Sequence, residues 1–272
     1  MKKVRQPYVA GMFYPSHKGE LKQMLDKLFN EAEIEITPQN VFGVVAPHAG
    51  YVYSGLTAAY GFKVLENKNF DKAIVLSPSH NDFFDGSCIF DGDSYVTPLG
   101  EIPVDKNTAN EIVKNSDSVF FGERGHKTEH ALEVELPFLQ RINPNFSLIP
   151  IVMGNQRMNF ITDLAESIAK VVNEKTIIVA SSDLSHFYSK HTADKLDSIV
   201  QKNIENFDYE KLQSDLENQN CFACGGGLIV TLMKTAALKN KGKAKVLHRS
   251  DSGDVSGDNE RVVGYLSAAV YA

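Results

Sequence analysis

Three short apolar runs, each closed by a polar turn that carries histidine, constrain this 272-residue chain more than any other feature. Residues 41–46 (Val-Phe-Gly-Val-Val-Ala) run into Pro47-His48-Ala49-Gly50, and residues 73–76 (Ala-Ile-Val-Leu) into Ser77-Pro78-Ser79-His80. Residues 176–180 (Thr-Ile-Ile-Val-Ala) run into Ser181-Ser182-Asp183-Leu184-Ser185-His186. An apolar run this short, rich in β-branched residues, reads as a strand buried on both faces. Residues 146–152 and 262–270 read the same way. Helical spacing fills the gaps between them. It appears over residues 18–32 (Leu21, Met24, Leu25, Leu28, Phe29) and 128–141 (Leu132, Leu136, Leu139), and again over 57–67, 160–172, 192–207 and 226–238. Strands alternating with helices predict an α/β fold with helices on both faces of a sheet. Residues 85–103 read as a hairpin, so the sheet is expected to be mixed rather than wholly parallel. No repeat or Pro/Gly/Ser linker divides the chain, which predicts one three-layer domain over residues 1–272.

In an open α/β sheet, ligands bind where the strands end at their carboxyl edge. Neighbouring strands lie only ~4.8 Å apart, so distant segments can meet there. Three strand exits therefore offer His48, His80, Asp183 and His186 to one rim. Imidazole is the commonest nitrogen ligand, and two histidines with one anionic ligand suit iron, zinc or copper. Any single histidine at a strand end is more often a surface or capping residue; the repetition at three exits carries the signal.

The anionic partner is less obvious. Residues 220–227 (Asn-Cys-Phe-Ala-Cys-Gly-Gly-Gly) open the apolar helix at 226–238. A cysteine at a helix N-terminus is expected to favour the thiolate, which makes Cys224 a candidate ligand or reactive thiol. Cys221 and Cys224 form a lone Cys-x-x-Cys, weak evidence for zinc or redox work; two buried apolar cysteines beside a turn fit equally well. His126 and His130 are four apart and share a face if 128–141 is a helix capped by Thr128. The glutamate of a His-Glu-x-x-His protease motif is missing from its place, so Glu129 and His130 read as supporting residues. His17, His191 and His248 read as surface.

Composition narrows the partners. Net charge is −6, and no long basic cluster breaks it, so duplex nucleic acid and anionic membranes are poor matches. No window approaches the ~20 apolar residues that span a bilayer, nor does the start contain a signal-peptide core. Three cysteines without framework spacing suit a reducing cytoplasm.

These motifs resemble one family. Residues 5–15 (Arg-Gln-Pro-Tyr-Val-Ala-Gly-Met-Phe-Tyr-Pro) resemble its N-terminal signature, and 46–55 (Ala-Pro-His-Ala-Gly-Tyr-Val-Tyr-Ser-Gly) its first histidine motif. Ser-Pro-Ser-His at 77–80, Glu-His-Ala-Leu-Glu-Val-Glu-Leu-Pro-Phe at 129–138, Ser-Ser-Asp-Leu-Ser-His at 181–186 and Val263-Gly264-Tyr265 follow in order. The family is Memo, whose prokaryotic members are called AmmeMemoRadiSam system protein B. The resemblance implies a class III extradiol dioxygenase-like fold of the protocatechuate 4,5-dioxygenase type. It implies His48 and His80 as metal ligands, and His186 as acid/base with Asp183 beside it. Cys224 stands where the dioxygenases carry glutamate, with Tyr53, Glu129 and His130 around the site. Fe(II) or copper is the implied metal, with zinc an alternative, because thiolate is a softer donor than carboxylate. The name implies association with a radical-SAM protein and an AMMECR1-like protein. Eukaryotic members are implied to bind phosphotyrosine peptides, but no arginine cluster supports that here; Arg124, Lys127 and Arg157 are scattered.

Three functions remain open on the sequence. One is a metal-binding or partner-binding protein with a dioxygenase-like pocket and no catalysis. Another is a redox metalloenzyme using His186 as acid/base. The third is a thiol hydrolase with Cys224 as nucleophile and His186 and Asp183 in series.

Overall fold

A computed structural model of the protein describes residues 2–34 and 38–272. In chain order the elements begin with β1 (Val4–Arg5), α1 (Lys18–Glu31), β2 (Val41–Ala46), α2 (Tyr51–Lys63) and β3 (Lys72–Pro78). Then come β4 (Ser87–Phe90), β5 (Ser94–Thr97), β6 (Gly100–Pro103), α3 (Lys106–Lys114) and β7 (Val119–Gly122). A 3-10 turn (Glu133–Glu135) leads into α4 (Leu136–Ile142), β8 (Ser147–Met153), α5 (Met158–Val171), β9 (Thr176–Ser181) and β10 (His186–Tyr188). The remainder is α6 (Lys190–Glu205), α7 (Tyr209–Glu217), α8 (Gly226–Leu238), β11 (Lys243–Asp251), α9 (Gly253–Ser256) and β12 (Val262–Tyr271).

The apolar runs form the middle of one large mixed sheet. Its central strands β2, β9, β3 and β8 are parallel neighbours in that order. β12 lies antiparallel to β2, with β11 antiparallel to β12. β4 lies antiparallel to β8 at the other side, followed by β7. Successive side chains point to opposite faces of a strand, and the core divides accordingly. Val44, Val75, Ile177 and Val179 pack with Leu21, Leu25, Phe62 and Phe138 of α1, α2 and α4. Val45, Ile74, Leu76 and Ile178 pack with Leu164, Ile168, Leu228 and Leu232 of α5 and α8. This is the expected three-layer α/β arrangement.

Several local expectations are corrected. The hairpin is β5–β6 alone, in a small separate sheet with β1; Ser87–Phe90 instead joins the large sheet. The helix over 128–141 starts only at Leu136. Pro137 supplies the reason: it lacks an N–H and clashes with the preceding turn, so it is tolerated only in a helix's first turn. Thr128 is therefore no cap, and His126 and His130 share no helix face. The helix over 57–67 begins six residues earlier, at Tyr51. Its Gly55 packs against α1, where a Cβ would come within 2.9 Å of Leu28. His248 is half-buried rather than a surface residue, bonded through Nδ1 to Thr57 (2.9 Å) and stacked on Tyr60. Further elements had no apolar run to announce them: β11 is a half-exposed strand reading Lys-Ala-Lys-Val-Leu-His-Arg-Ser-Asp. Helices α3 and α7 are short and capped by Asp105 and Asp208, whose side chains accept from Thr108 and Lys211 N–H groups.

Candidate metal centre

The strand order builds the site. β9 lies between β2 and β3, so the exits that carry His48, Asp183 and His80 are adjacent. From Ser181 the chain must reach β12, and β2 lies in between. Residues 182–185 therefore cross over the end of β2. Ser182 N–H donates to Ala46 O (2.9 Å), and Leu184 N–H to Gly264 O (2.8 Å). At the crossing, Asp183 accepts from the backbone N–H of His48 (2.8 Å). Gly264 is required here: a Cβ would fall 1.9 Å from the buried Asp197 carboxylate.

Cys224 arrives from the other side of this crossing. Its N–H donates to Asp183 O (3.1 Å), and Gly225 N–H to Ser182 Oγ (2.9 Å). A Cβ on Gly225 would lie 2.2 Å from Ser181 O, so only glycine lets the start of α8 approach this closely. The Sγ of Cys224 then sits 3.2 Å from His48 Nε2. The ligand atoms of His48, His80 and Cys224 all lie within 4.8 Å of one another.

The outer nitrogen of each histidine is engaged. His48 Nδ1 lies 2.8 Å from Ser181 Oγ. His80 Nδ1 lies 2.8 Å from Glu129 Oε1, and the His80 backbone N–H donates to Glu129 Oε2 (2.7 Å). With Nδ1 occupied on both rings, Nε2 is the atom left for a ligand. A carboxylate behind a histidine is the usual support of a metal ligand, since it fixes the tautomer and raises the basicity of the ring. Two imidazoles and a thiol, converging with their second donors satisfied, fit a transition-metal ion.

Charge is distributed unevenly. Burial holds the His48 pKa well below the usual imidazole range, helped by His80, His130 and His186 nearby. At His80 burial acts the same way, but the hydrogen bond and charge of Glu129 outweigh it and the pKa is raised. Glu129 is lowered in return, its burial outweighed by His80 and backbone N–H donors. Burial pushes Asp183 up to about 7.

Burial, then the Asp183 charge, pushes the Cys224 thiol upward, which corrects the expected helix-terminus thiolate. The N–H groups at the start of α8 are already taken, by Ser182 at Gly225 and by Gln156 at Gly227. Without a metal, burial favours the thiol form of Cys224. Nor do Cys224, His186 and Asp183 stand in series: His186 Nδ1–H donates to Leu184 O (2.8 Å), and Cys224 faces His48.

His186 sits at the start of β10, paired with Val263 through an irregular register. Phe187 beside it adopts φ +64°, a strained conformation for a bulky residue that re-aims this short strand. His130 stacks on His80 with ring centroids 4.8 Å apart and faces Phe13 at 4.9 Å. Tyr53 is exposed and lines a groove with Leu56, Thr57, His248, Asp254 and Val255. Glu133 serves another purpose. It pairs with the buried Arg5 and accepts from Tyr8 N–H, Val9 N–H and the Tyr14 hydroxyl, fastening the N-terminal segment beside the site. Sequence reading missed Ser181 and Glu135 as site residues. The one signal for Glu135 was a carboxylate flanked by Val134 and Leu136.

The class is thus an α/β protein with a two-histidine, one-cysteine constellation at the carboxyl edge of its parallel strands. The profile of the Memo-like protein family matches residues 5–269. The chain belongs to the Memo family. It is 36% identical over 265 residues to a MEMO1 family protein of Thermoplasma volcanium, covering 97% of each chain. It is 38% identical over 273 residues to one of Methanosarcina mazei, covering 98% of this chain and 99% of that one. An uncharacterized protein of Escherichia coli K12 shares the fold, with a TM-score of 0.57 at 12% identity over 85% of this chain and 99% of that one. No helix among the described residues is long and apolar enough to cross a membrane.

Proposed function

We propose that the protein is a metal-binding member of its family, with His48, His80 and Cys224 holding one transition-metal ion. Fe(II) or copper fits the mixed imidazole–sulfur donors first and zinc second. The observation that carries this reading is the convergence of three ligand atoms within 4.8 Å from three separate chain segments. Such an ion would supply Lewis acidity and, as iron or copper, redox chemistry at its open positions. The chain's own groups orient the ligands. Glu129 holds the ring of His80, Ser181 that of His48, and Asp183 the His48 backbone. The pocket then serves to bind a ligand or partner in a metal-dependent way.

A second reading, a dioxygenase-like redox enzyme, rests on His186. Its Nδ1–H is tied to Leu184 O, which leaves Nε2 as a proton acceptor beside the histidine cluster.

Anaerobic dialysis against Fe(II), Cu(I) or Zn(II), with metal analysis of the protein, tests the first reading. One ion per chain is expected, and affinity more than about 100-fold weaker in His48→Ala and Cys224→Ser, since each removes one of three ligands. Unchanged loading in these variants would overturn it. Turnover of a catechol-like substrate, abolished by His186→Ala, would favour the second.

A further inference from the structure

Three acidic residues of one short stretch have different neighbours: Glu129 meets His80 and Glu133 meets Arg5, but Glu135 meets no cation among the described residues. It is fully buried. Its Oε1 lies 2.6 Å from Ser181 Oγ, and its Oε2 has no hydrogen-bond partner. A buried polar atom left unpaired is costly and calls for a reason.

The reason lies in counting protons on Ser181. Its hydroxyl has three neighbours: Ala131 O (2.8 Å), Glu135 Oε1 (2.6 Å) and His48 Nδ1 (2.8 Å). A serine hydroxyl has one proton to give. A backbone carbonyl only accepts, so that proton goes to Ala131 O. The other two neighbours must then donate. His48 carries its proton on Nδ1, and Glu135 carries one on Oε1. An ionised Glu135 would compete for the Ser181 proton and leave Ala131 O and Ser181 Oγ in contact with no hydrogen between them.

From this count we infer that Glu135 is a positioning residue for the metal centre: as a neutral acid donating to Ser181, it locks His48 in the Nδ1–H tautomer. The Nε2 lone pair of His48 is thereby kept bare toward Cys224 and the ligand space. Burial of the Glu135 carboxyl, which pushes its pKa well above the usual range, agrees with that neutral form. The inference rests on the metal-binding reading for its purpose, but not for its geometry.

The test begins on the metal-free protein, so that it stands apart from metal loading. Carbon-13 NMR of the Glu135 carboxyl should show a protonated group throughout the range from about pH 5 to 8, well above the ordinary carboxyl range. Nitrogen-15 NMR should show His48 protonated on Nδ1. Glu135→Gln keeps an N–H donor for Ser181 and should keep both the tautomer and the metal affinity, within about threefold. Glu135→Leu removes the donor. It should mix the His48 tautomers and weaken metal binding by about three- to tenfold, no more than loss of Ser181 itself and less than loss of a charged supporting partner. An ionised Glu135 at pH 7, or Glu135→Leu with tautomer and affinity unchanged, would overturn the inference. Wild-type protein that shows both NMR signatures but takes up no metal would refute the metal-binding reading and leave the positioning role standing.

Discussion

His48 and His126 are equally buried, each 1% exposed, and yet they have opposite hydrogen-bond accounts. His126 lies beneath the small sheet with both nitrogens satisfied. Its Nε2–H donates to Cys88 O (2.9 Å), and its Nδ1 accepts from the Tyr95 hydroxyl (2.6 Å). His48 has a partner of ordinary type only on Nδ1; its Nε2 meets the sulfur of Cys224. Burial alone therefore says little about a histidine's purpose. The informative quantity is how many of its nitrogens the fold leaves open, and toward what. By that measure His126 is a core residue, while His48 and His80 are the candidates for metal ligands.

The contrast is broken or upheld most directly by paired truncations. His126→Ala removes two buried hydrogen bonds, taking the imidazole acceptor from the Tyr95 hydroxyl and the imidazole donor from Cys88 O. The expected cost is about 3 kcal/mol of folding stability, with metal affinity unchanged within about twofold because the His126 ring bonds Tyr95 and Cys88 and none of the ligand atoms. His80→Ala should behave in reverse. Its ring is partly exposed, with 32% of the side chain accessible, so stability should fall by less than about 1.5 kcal/mol. Metal affinity should collapse by more than about 100-fold, since one of the three proposed ligands is gone. Denaturant titration and metal dialysis on the same two variants decide the matter. Equal losses on both axes would erase the distinction.

The pH dependence of stability sharpens it next. Burial lowers the pKa of His126 to about 4, against 6.5 for an ordinary imidazole. Between those values the unfolded chain binds more protons than the folded one. Stability from this residue is thus fully present above about pH 6.5, declines as pH falls, and is spent below about pH 4, a total of about 3 kcal/mol. His126→Gln has no imidazole to charge. Its denaturation midpoint should vary less steeply with pH over this window than that of the wild type. Parallel curves would mean that His126 is already charged in the fold.

What the sequence disclosed follows the same division. The four central strands were legible because both faces of each are covered, so their residues are apolar without alternation; residues 176–180 show this plainly. The exits followed from them, and with them His48, His80 and Asp183. The half-exposed edge strand β11 was not legible, since its packing leaves room for lysine, histidine and arginine. The expected helix at 128–141 failed on a residue in plain view, Pro137. The period of its leucines suited a helix, but tertiary bonds from Glu129 and Glu133 hold the preceding residues in an open turn. Gly225 and Gly264 were visible as letters, but their meaning, a close approach to Ser181 and to Asp197, depends on partners 44 and 67 residues away. Glu135 was harder still, because its importance lies in having no cation.

The smallest expected effect compares the supports behind the two proposed ligand histidines. Glu129 is charged and takes three donors on two oxygens: His80 N–H, His80 Nδ1–H and Ala131 N–H. Glu129→Gln keeps the shape but has one acceptor oxygen in place of two, so a donor is left facing an NH₂ group. His80 then loses the interaction that raised its pKa, and burial should draw that pKa down. Loss of a charged supporting partner is expected to weaken metal binding by roughly 10–100-fold. Behind His48 stands only a neutral hydroxyl. Ser181→Ala removes a weaker, uncharged hydrogen bond and should cost less than about tenfold, in keeping with neutral bonds being about half as strong as charge-assisted ones. Isothermal titration of both variants with the same ion ranks them. If Ser181→Ala proves the costlier, the tautomer of His48 matters more to the centre than the charge behind His80, and the exposed ligand is the less demanding of the two.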